Sequence, residues 1–393
     1  MNPRHYTLHG KPTNKPLVLY DRWLMGTVLV LLIIGLMMVT SSSVMISMKY
    51  YHTAFHFLLR QSCYLFFGLI VAVIVMRIDS SKWQQWSGII LIISFILLIL
   101  VLIPGIGRVV NGSRRWLAIG FIGIQVSELM KLTMIFYIAG YLVRQEESLN
   151  KNIFGFIKPL ILLALVAFLL LMEPDFGSTV VISGSVMVML LLAGVKLRYY
   201  VGIFILVVSG LVTLAVSSPY RVARLTAFLD PWVDQFNTGY QLTQSLIAFG
   251  RGGWFGVGLG GGVQKLFYLP EAHTDFLFAV FAEEFGFVGI VLVLLLYSII
   301  VGRGLAIGYT SYCQQRFFAA YLVYGLIFWL GWQAMINLGV NAGLLPTKGL
   351  TLPLLSYGGA SMVMNCIVIA LILRVDHENR WQFIESKTCY RGK

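Results

Sequence analysis

Long apolar runs constrain this chain more than any other feature. They recur near 22–46, 57–77, 87–103, 125–143, 157–172, 176–195, 200–216, 276–302, 317–339 and 356–374. A helix needs roughly 20 residues to cross a hydrocarbon core of about 30 Å, and only helices or closed barrels satisfy their backbone polar groups there. The runs therefore predict an all-α, polytopic membrane protein with about ten transmembrane helices. Composition agrees, because 58% of the 393 residues are hydrophobic and 11% charged, against roughly 25% charged in a soluble domain. The first run is too long for the apolar core of a cleavable signal and no small-residue cleavage site closes it, so the first span is expected to stay.

The net charge of +13 does not mark a nucleic-acid binder, because the basic residues are scattered through short loops and form no basic domain. It reads instead as membrane orientation. With ten spans both termini share a side: Arg4, Lys11, Lys15 and Arg22 precede the first span, and Arg374, Arg380, Lys387, Arg391 and Lys393 follow the last. Loops carrying Arg77 and Lys82, Arg144 and Lys151, Lys196 and Arg198, and Arg303 and Arg316 fall on the same face, which the positive-inside rule makes cytoplasmic. The expected plan is a cytoplasmic tail over 1–21, a membrane domain over 22–374 with a large extracytoplasmic loop at 217–275 before the eighth span, and a cytoplasmic tail over 375–393. Cys63, Cys313, Cys366 and Cys389 lack metal-ligand spacing, so neither zinc nor a disulfide is expected.

The opposite face carries cations that the rule does not predict: Arg108, Arg114, Arg115, Arg221, Arg224, Arg251, Lys265 and Lys348. Long loops translocate whatever their charge, which is one account of those within 217–275. "NGSRRWLAIG" is short, however, and its paired arginines beside Trp116 suit an anionic lipid head group, since guanidinium grips phosphate through a bidentate fork. The stretch "GRGGWFGVGLGGGVQK" meets GxGxxG spacing at Gly256, Gly258 and Gly261, but it lacks a βαβ setting and the Gly-Lys-Ser/Thr of a phosphate loop. Its glycines suit tight bends and close approach to a ligand; a merely flexible loop is the other reading. Upstream, "YQLTQSLIAFG" has the spacing of an amphipathic helix lying at the interface.

Asp275, in "YLPEAHTDFLFAVFAEEFG", stands at the threshold of the eighth span, and two readings are open. One is a helix N-cap. The other is a general base whose pKa is raised by partial desolvation, with His273 either tuning it or only packing beside it. Glu128 and Lys131, three residues apart within the fourth span, are each costly in lipid and are expected to pair, as a packing ion pair or as part of a substrate path. Arg60 lies at the outer end of the second span, where it is able to face the same cavity, while Pro and Gly in "MEPDFGST" read as a tight outer turn around Glu173 and Asp175.

The motifs "GSRRWL", "SELMKL", "EPDFGS", "FLDPW", "GYQLTQSLIAFGRGGWFGVGLG", "QKLFYLPEAHTDFLFAVFAEEFG" and "GLLPTKGLTLPLLSYGGAS" run in one order from the first span to the last. Together they resemble the SEDS family (shape, elongation, division and sporulation), and its division branch more than its elongation branch. The resemblance implies a peptidoglycan glycosyltransferase that polymerises lipid II into β-1,4 glycan at the outer face of the bacterial cytoplasmic membrane, at the division septum. Asp275 matches the family's essential acid, and Arg60, Arg114, Arg115, Glu128 and Lys131 match polar positions of its cavity. Arg251, Lys265, His273 and Lys348 join these as candidate substrate-binding residues, and no residue is assigned to a metal. Val126 replaces a usual proline and Ala360 a common serine, neither touching the proposed base.

The chemistry implied is removal of the proton from the acceptor GlcNAc 4-hydroxyl by Asp275 as it attacks the MurNAc anomeric carbon, with inversion. Outer Arg and Lys residues, with a divalent cation (Mg2+ or Mn2+) as a candidate helper, would hold the pyrophosphate leaving group. The implied partners are a class B penicillin-binding protein transpeptidase, other division proteins and membrane lipids. A lipid II flippase and a non-catalytic division scaffold are the alternatives.

Overall fold

In a computed structural model, residues 20–110, 113–119, 122–145, 154–194, 196–217 and 219–391 are described. Arg4, Lys11, Lys15, Lys151 and Lys393, and the side chains of Arg221, Lys387, Cys389 and Arg391, lie outside what is described. The helices are α1 (Arg22–Tyr51), α2 (His56–Met76), α3 (Ser80–Leu102), α4 (Val126–Arg144), α5 (Phe154–Met172), α6 (Phe176–Leu192), α7 (Leu197–Val216), α8 (Pro219–Leu229), α9 (Tyr240–Gly252), α10 (Leu277–Cys313), α11 (Phe317–Asn341) and α12 (Gly359–Arg391). Eight are long and apolar enough to cross a membrane, and the shorter apolar helices Lys158–Met172 and Phe176–Leu192 complete the ten expected spans. The protein is a multi-pass, predominantly helical membrane protein.

Three boundaries differ from those expected. An antiparallel sheet in the order β1 (Gly107–Val110), β2 (Ser113–Ile119), β3 (Ile122–Gln125) fills what reads in sequence as a short loop between α3 and α4. The loop at 217–275 contains α8 and α9. The last helix continues past 374 to Arg391, because Asp376, Glu378 and Arg380 are taken into ion pairs and need no coil to reach water.

Burial orders the bundle. In α4, 83% of the most apolar window is buried, against 6% in α7, so α4 is interior and α7 faces its surroundings. α11 packs on α4, α6 and α10, while α12 packs on α2. At one end, Asp21 caps α1 by accepting from Leu24 N–H (2.8 Å) and pairs with Arg303. Glu378 pairs there with Arg316 and, at 2.8 Å, with Arg374, which also meets Asp79. A cavity of about 770 Å³ at this end is lined by Asp79, Arg316, Arg374, Glu378 and Trp381, but its charges are already paired. Asp275 lies near the other end of α2, because His273 packs on Phe57 with ring centroids 4.7 Å apart; a helix of 21 residues separates the two ends by about 30 Å.

Candidate active site

Asp275 sits in a turn that its neighbours over-determine. Glu271 takes the left-handed conformation (φ 54°), and its carbonyl accepts from the N–H groups of Thr274 (3.1 Å) and Phe276 (3.2 Å). The Glu271 carboxylate accepts from Thr274 Oγ1 at 2.6 Å, closing the turn. α10 then starts with Phe276 at the cap position and no side-chain cap bond, so the N-cap reading of Asp275 is overturned. As a residue it is half-buried, and its carboxylate accepts no hydrogen bond among the described residues. Burial, then the charge of Glu271, pushes its pKa up to about 7, against the pull of Arg115 and Arg224. A carboxyl poised there exchanges protons near neutral pH.

Strand geometry separates the paired arginines. Successive residues on a strand point to opposite faces, so Arg114 and Arg115 on β2 diverge. Arg115 reaches the α5–α6 joint, donating to the carbonyls of Glu173 (2.8 Å) and Pro174 (2.7 Å), and its charge is felt by Asp275 and Glu173. Arg114 donates instead to the Leu102 carbonyl at the end of α3 (3.0 Å). The two-arginine grip on one head group expected from sequence is therefore corrected: only Arg115 turns toward Asp275.

Arg224, whose charge acts on this acid, donates to the Thr347 carbonyl at 3.3 Å, and the Nζ of the next residue, Lys348, lies 4.3 Å from the centre of the Phe176 ring. Gly349 passes so close that a Cβ there would stand 2.9 Å from Asp275 Oδ2. His273 lies between Phe57 and Tyr357, and burial holds its imidazole below the ordinary range, so it is neutral near pH 7. Arg60 is exposed on α2 and donates to the Tyr64 hydroxyl (3.2 Å).

Other sequence candidates lie elsewhere. Lys131 bonds Glu128 at 2.7 Å and Gln333 at 2.8 Å, with all three buried, so the intramembrane pair forms as expected and ties α4 to α11. Lys265 is buried against Glu284 and Ser41, and Arg251 pairs with Glu283 at 3.2 Å. Both cations thus pair with carboxylates of α10. Glu283 also accepts from the N–H groups of Val263 (2.8 Å) and Gln264 (3.1 Å), so both carboxylates hold the glycine-rich segment.

That segment docks on a break in α10. Gly286 has φ 63° and interrupts the helix. The freed carbonyls of Glu283 and Glu284 accept from Val257 and Gly258, and Phe287 and Val288 N–H donate back to Gly253 and Trp254. Gly256 (φ 79°) packs so closely on the Glu284 carbonyl that no Cβ fits. Backbone strain and pairing thus explain a glycine pattern that sequence alone reads as flexible or ligand-facing.

Sequence reasoning missed Glu173. Asp175 behaves as the expected turn residue, capping α6 through Ser178 N–H at 3.1 Å. Glu173 does not: it is 0% exposed, both carboxyl oxygens lack partners among the described residues, and burial, then Asp175, raises its pKa to about 8 against Arg115. It also missed Asn337 and Asn341 on α11, whose side-chain amides donate to the Asp275 carbonyl at 2.8 and 3.0 Å. Polar residues at 333, 337 and 341, each one helical turn apart inside an apolar span, were the signal available. Among the described residues, no three His, Cys, Asp or Glu side chains form a cation cage.

The chain is similar to known proteins over nearly its whole length. A probable peptidoglycan glycosyltransferase FtsW of Legionella pneumophila is 71% identical over 382 residues, covering 97% of each chain. A solved chain described as "Structural coordination of polymerization and crosslinking by a peptidoglycan synthase complex" superposes with a TM-score of 0.76 at 32% identity, covering 93% of this chain and 99% of that one. The rod shape determining protein RodA of Thermus thermophilus gives 0.69 at 28% identity, covering 93% of this chain and 98% of that one. The family described as cell cycle protein, with FtsW, RodA and SpoVE as its members, matches residues 22–381, and the chain belongs to this family, the SEDS family.

Proposed function

We propose that the protein is a peptidoglycan glycosyltransferase that polymerises lipid II during cell division, at the outer face of the bacterial cytoplasmic membrane, with both termini cytoplasmic. One observation carries the catalytic part: a carboxylate at the mouth of α10, free of hydrogen bonds among the described residues, is held near pH 7 within the field of Arg115 and Arg224. Asp275 takes the proton of the acceptor's 4-hydroxyl as that oxygen bonds to the donor's anomeric carbon. The bond to pyrophosphate breaks with inversion, and the leaving group keeps the electron pair. Because pyrophosphate leaves readily, one base suffices where a glycosidase needs two carboxyl groups. Arg115, Arg224 and Lys348 supply positive charge for the pyrophosphate. Arg60 and His273 line the approach from the α2 side.

The described side chains do not by themselves make a metal site. Mg2+ is commonly held by substrate phosphates with one or two carboxylates, so a divalent cation would enter with the pyrophosphate, and no step here depends on it. The partner is a class B penicillin-binding protein that crosslinks the product, in line with the synthase complex among the similar structures.

A flippase would place its binding site at broken helices near the bilayer midplane. Here the α10 break is taken up by the chain's own glycine-rich segment, which favours the polymerase reading. Purified full-length chain, with its partner synthase, is expected to convert labelled lipid II to glycan. Lipid II crossing vesicle membranes with no glycan formed would overturn the proposal.

A further inference from the structure

The proposed base is aimed through its backbone. Its carboxylate accepts no hydrogen bond among the described residues, whereas its main-chain carbonyl accepts two. Those two come from asparagines one turn apart on α11, Asn337 (1% exposed) and Asn341 (0% exposed). A carbonyl oxygen has two lone pairs, so this one is saturated.

Each amide does a second job. Asn337 Nδ2 also donates to the Leu350 carbonyl at 2.6 Å, tying the Asp275 turn to the segment that brings Gly349 beside the carboxylate. Asn341 Nδ2 also donates to the Asn337 carbonyl at 2.9 Å, and its Oδ1 accepts from Ala279 N–H at 3.1 Å. The first turn of α10, which lacks a side-chain cap of its own, is thus capped from a neighbouring helix. Ser245 on α9 bonds the Asn341 carbonyl at 2.7 Å and extends the support to the preceding helix.

Two amides inside an apolar span are expensive unless every polar atom is used. Both N–H bonds of each amide are occupied: one from each meets the Asp275 carbonyl, and the others meet the carbonyls of Leu350 and Asn337. The Glu128–Lys131–Gln333 group on the same α11 face ties helices together but bonds nothing in the Asp275 turn.

We propose that Asn337 and Asn341 are positioning residues for glycosyl transfer, which fix the Asp275 main chain and its register against the 347–350 segment so that the carboxylate meets the acceptor hydroxyl. This rests on the function proposed above. Displacing a reacting group by about 1 Å can cost on the order of 100-fold in rate. Neither asparagine side chain bonds a charged side chain proposed to hold substrate, so the loss should fall on turnover.

The test compares wild type with Asn337→Leu, Asn341→Leu and the smaller Asn337→Ala in full-length chain with its partner synthase, using labelled lipid II. The expected result is a fall in kcat of about 10-fold to 100-fold, with KM within about twofold and no matching loss of folded protein. Unchanged kcat, or a loss that follows KM or folded yield, would overturn the assignment. Amide hydrogen exchange over 276–281 gives a readout independent of turnover: exchange should quicken there in Asn341→Leu, which removes the acceptor of Ala279 N–H, while the rest of α11 stays protected. If wild type forms no glycan, the proposed function fails by itself; the clamp then stands if exchange quickens over 276–281 and falls if it does not.

Discussion

Replacing Glu173 by glutamine isolates the cost of burying a carboxyl without partners. In the unfolded chain this group ionises near its ordinary value of 4.5, whereas burial, then Asp175, raises it to about 8 in the folded chain. A raised pKa means that the folded state holds its proton longer, so the contribution is fully present below 4.5 and is lost as pH climbs to about 8. A tenfold change in proton affinity is worth about 1.4 kcal/mol, so the total loss across that window is at most about 5 kcal/mol. Glutamine has nearly the same shape and does not titrate. Its unpaired amide and the unpaired protonated carboxyl it replaces each cost about 1–3 kcal/mol to bury, so these penalties largely cancel and do not vary with pH. Glu173→Gln should therefore melt close to wild type at pH 5, gain on it steadily, and melt well above it at pH 8. Asp275 titrates in both proteins and cancels. Melting of the full chain in one detergent, followed by intrinsic fluorescence from pH 5 to 9, reads this directly. Two curves that stay parallel across the range would refute the neutral, buried state of Glu173.

Two further perturbations address the docked glycine-rich segment. Lys265→Met leaves the Glu284 carboxylate, 1% exposed as a residue, without its cation, which should destabilise the protein by about 3–5 kcal/mol; adding Glu284→Gln should recover most of the loss in the same melting assay. Gly256→Ala demands φ 79° and puts a Cβ into the Glu284 carbonyl. Limited proteolysis within 253–263 should therefore become faster, and an unchanged cleavage rate would count against docking.

The spans were legible because lipid demands long apolar runs, and the Glu128–Lys131 pair because one turn of helix joins residues three apart. The partners of Lys265 and Arg251 were hidden in "AEEFG", where Glu283 and Glu284 look like the start of a span yet bond residues 32 and 19 positions upstream. Arg114 and Arg115 looked like a pair because adjacency in sequence says nothing of the strand that turns them apart. Asp275 stood out as an acid at a membrane boundary, but only the fold removes the cap reading, since the cap position falls on Phe276. Asn337 and Asn341 required knowledge of which helix lies beside the Asp275 turn, and periodicity within one helix does not supply it.

The central claim is that Asp275 is the general base, and the direct measurement is the initial rate of glycan formation from labelled lipid II against pH, for wild type and Asp275→Asn. A base works when deprotonated, so the wild-type rate should rise with pH and level off above about 7. Asp275→Asn should run about 10²–10⁴ slower and lose that rise while remaining folded. A folded Asp275→Asn chain that matches wild type in rate and in pH dependence would contradict the account.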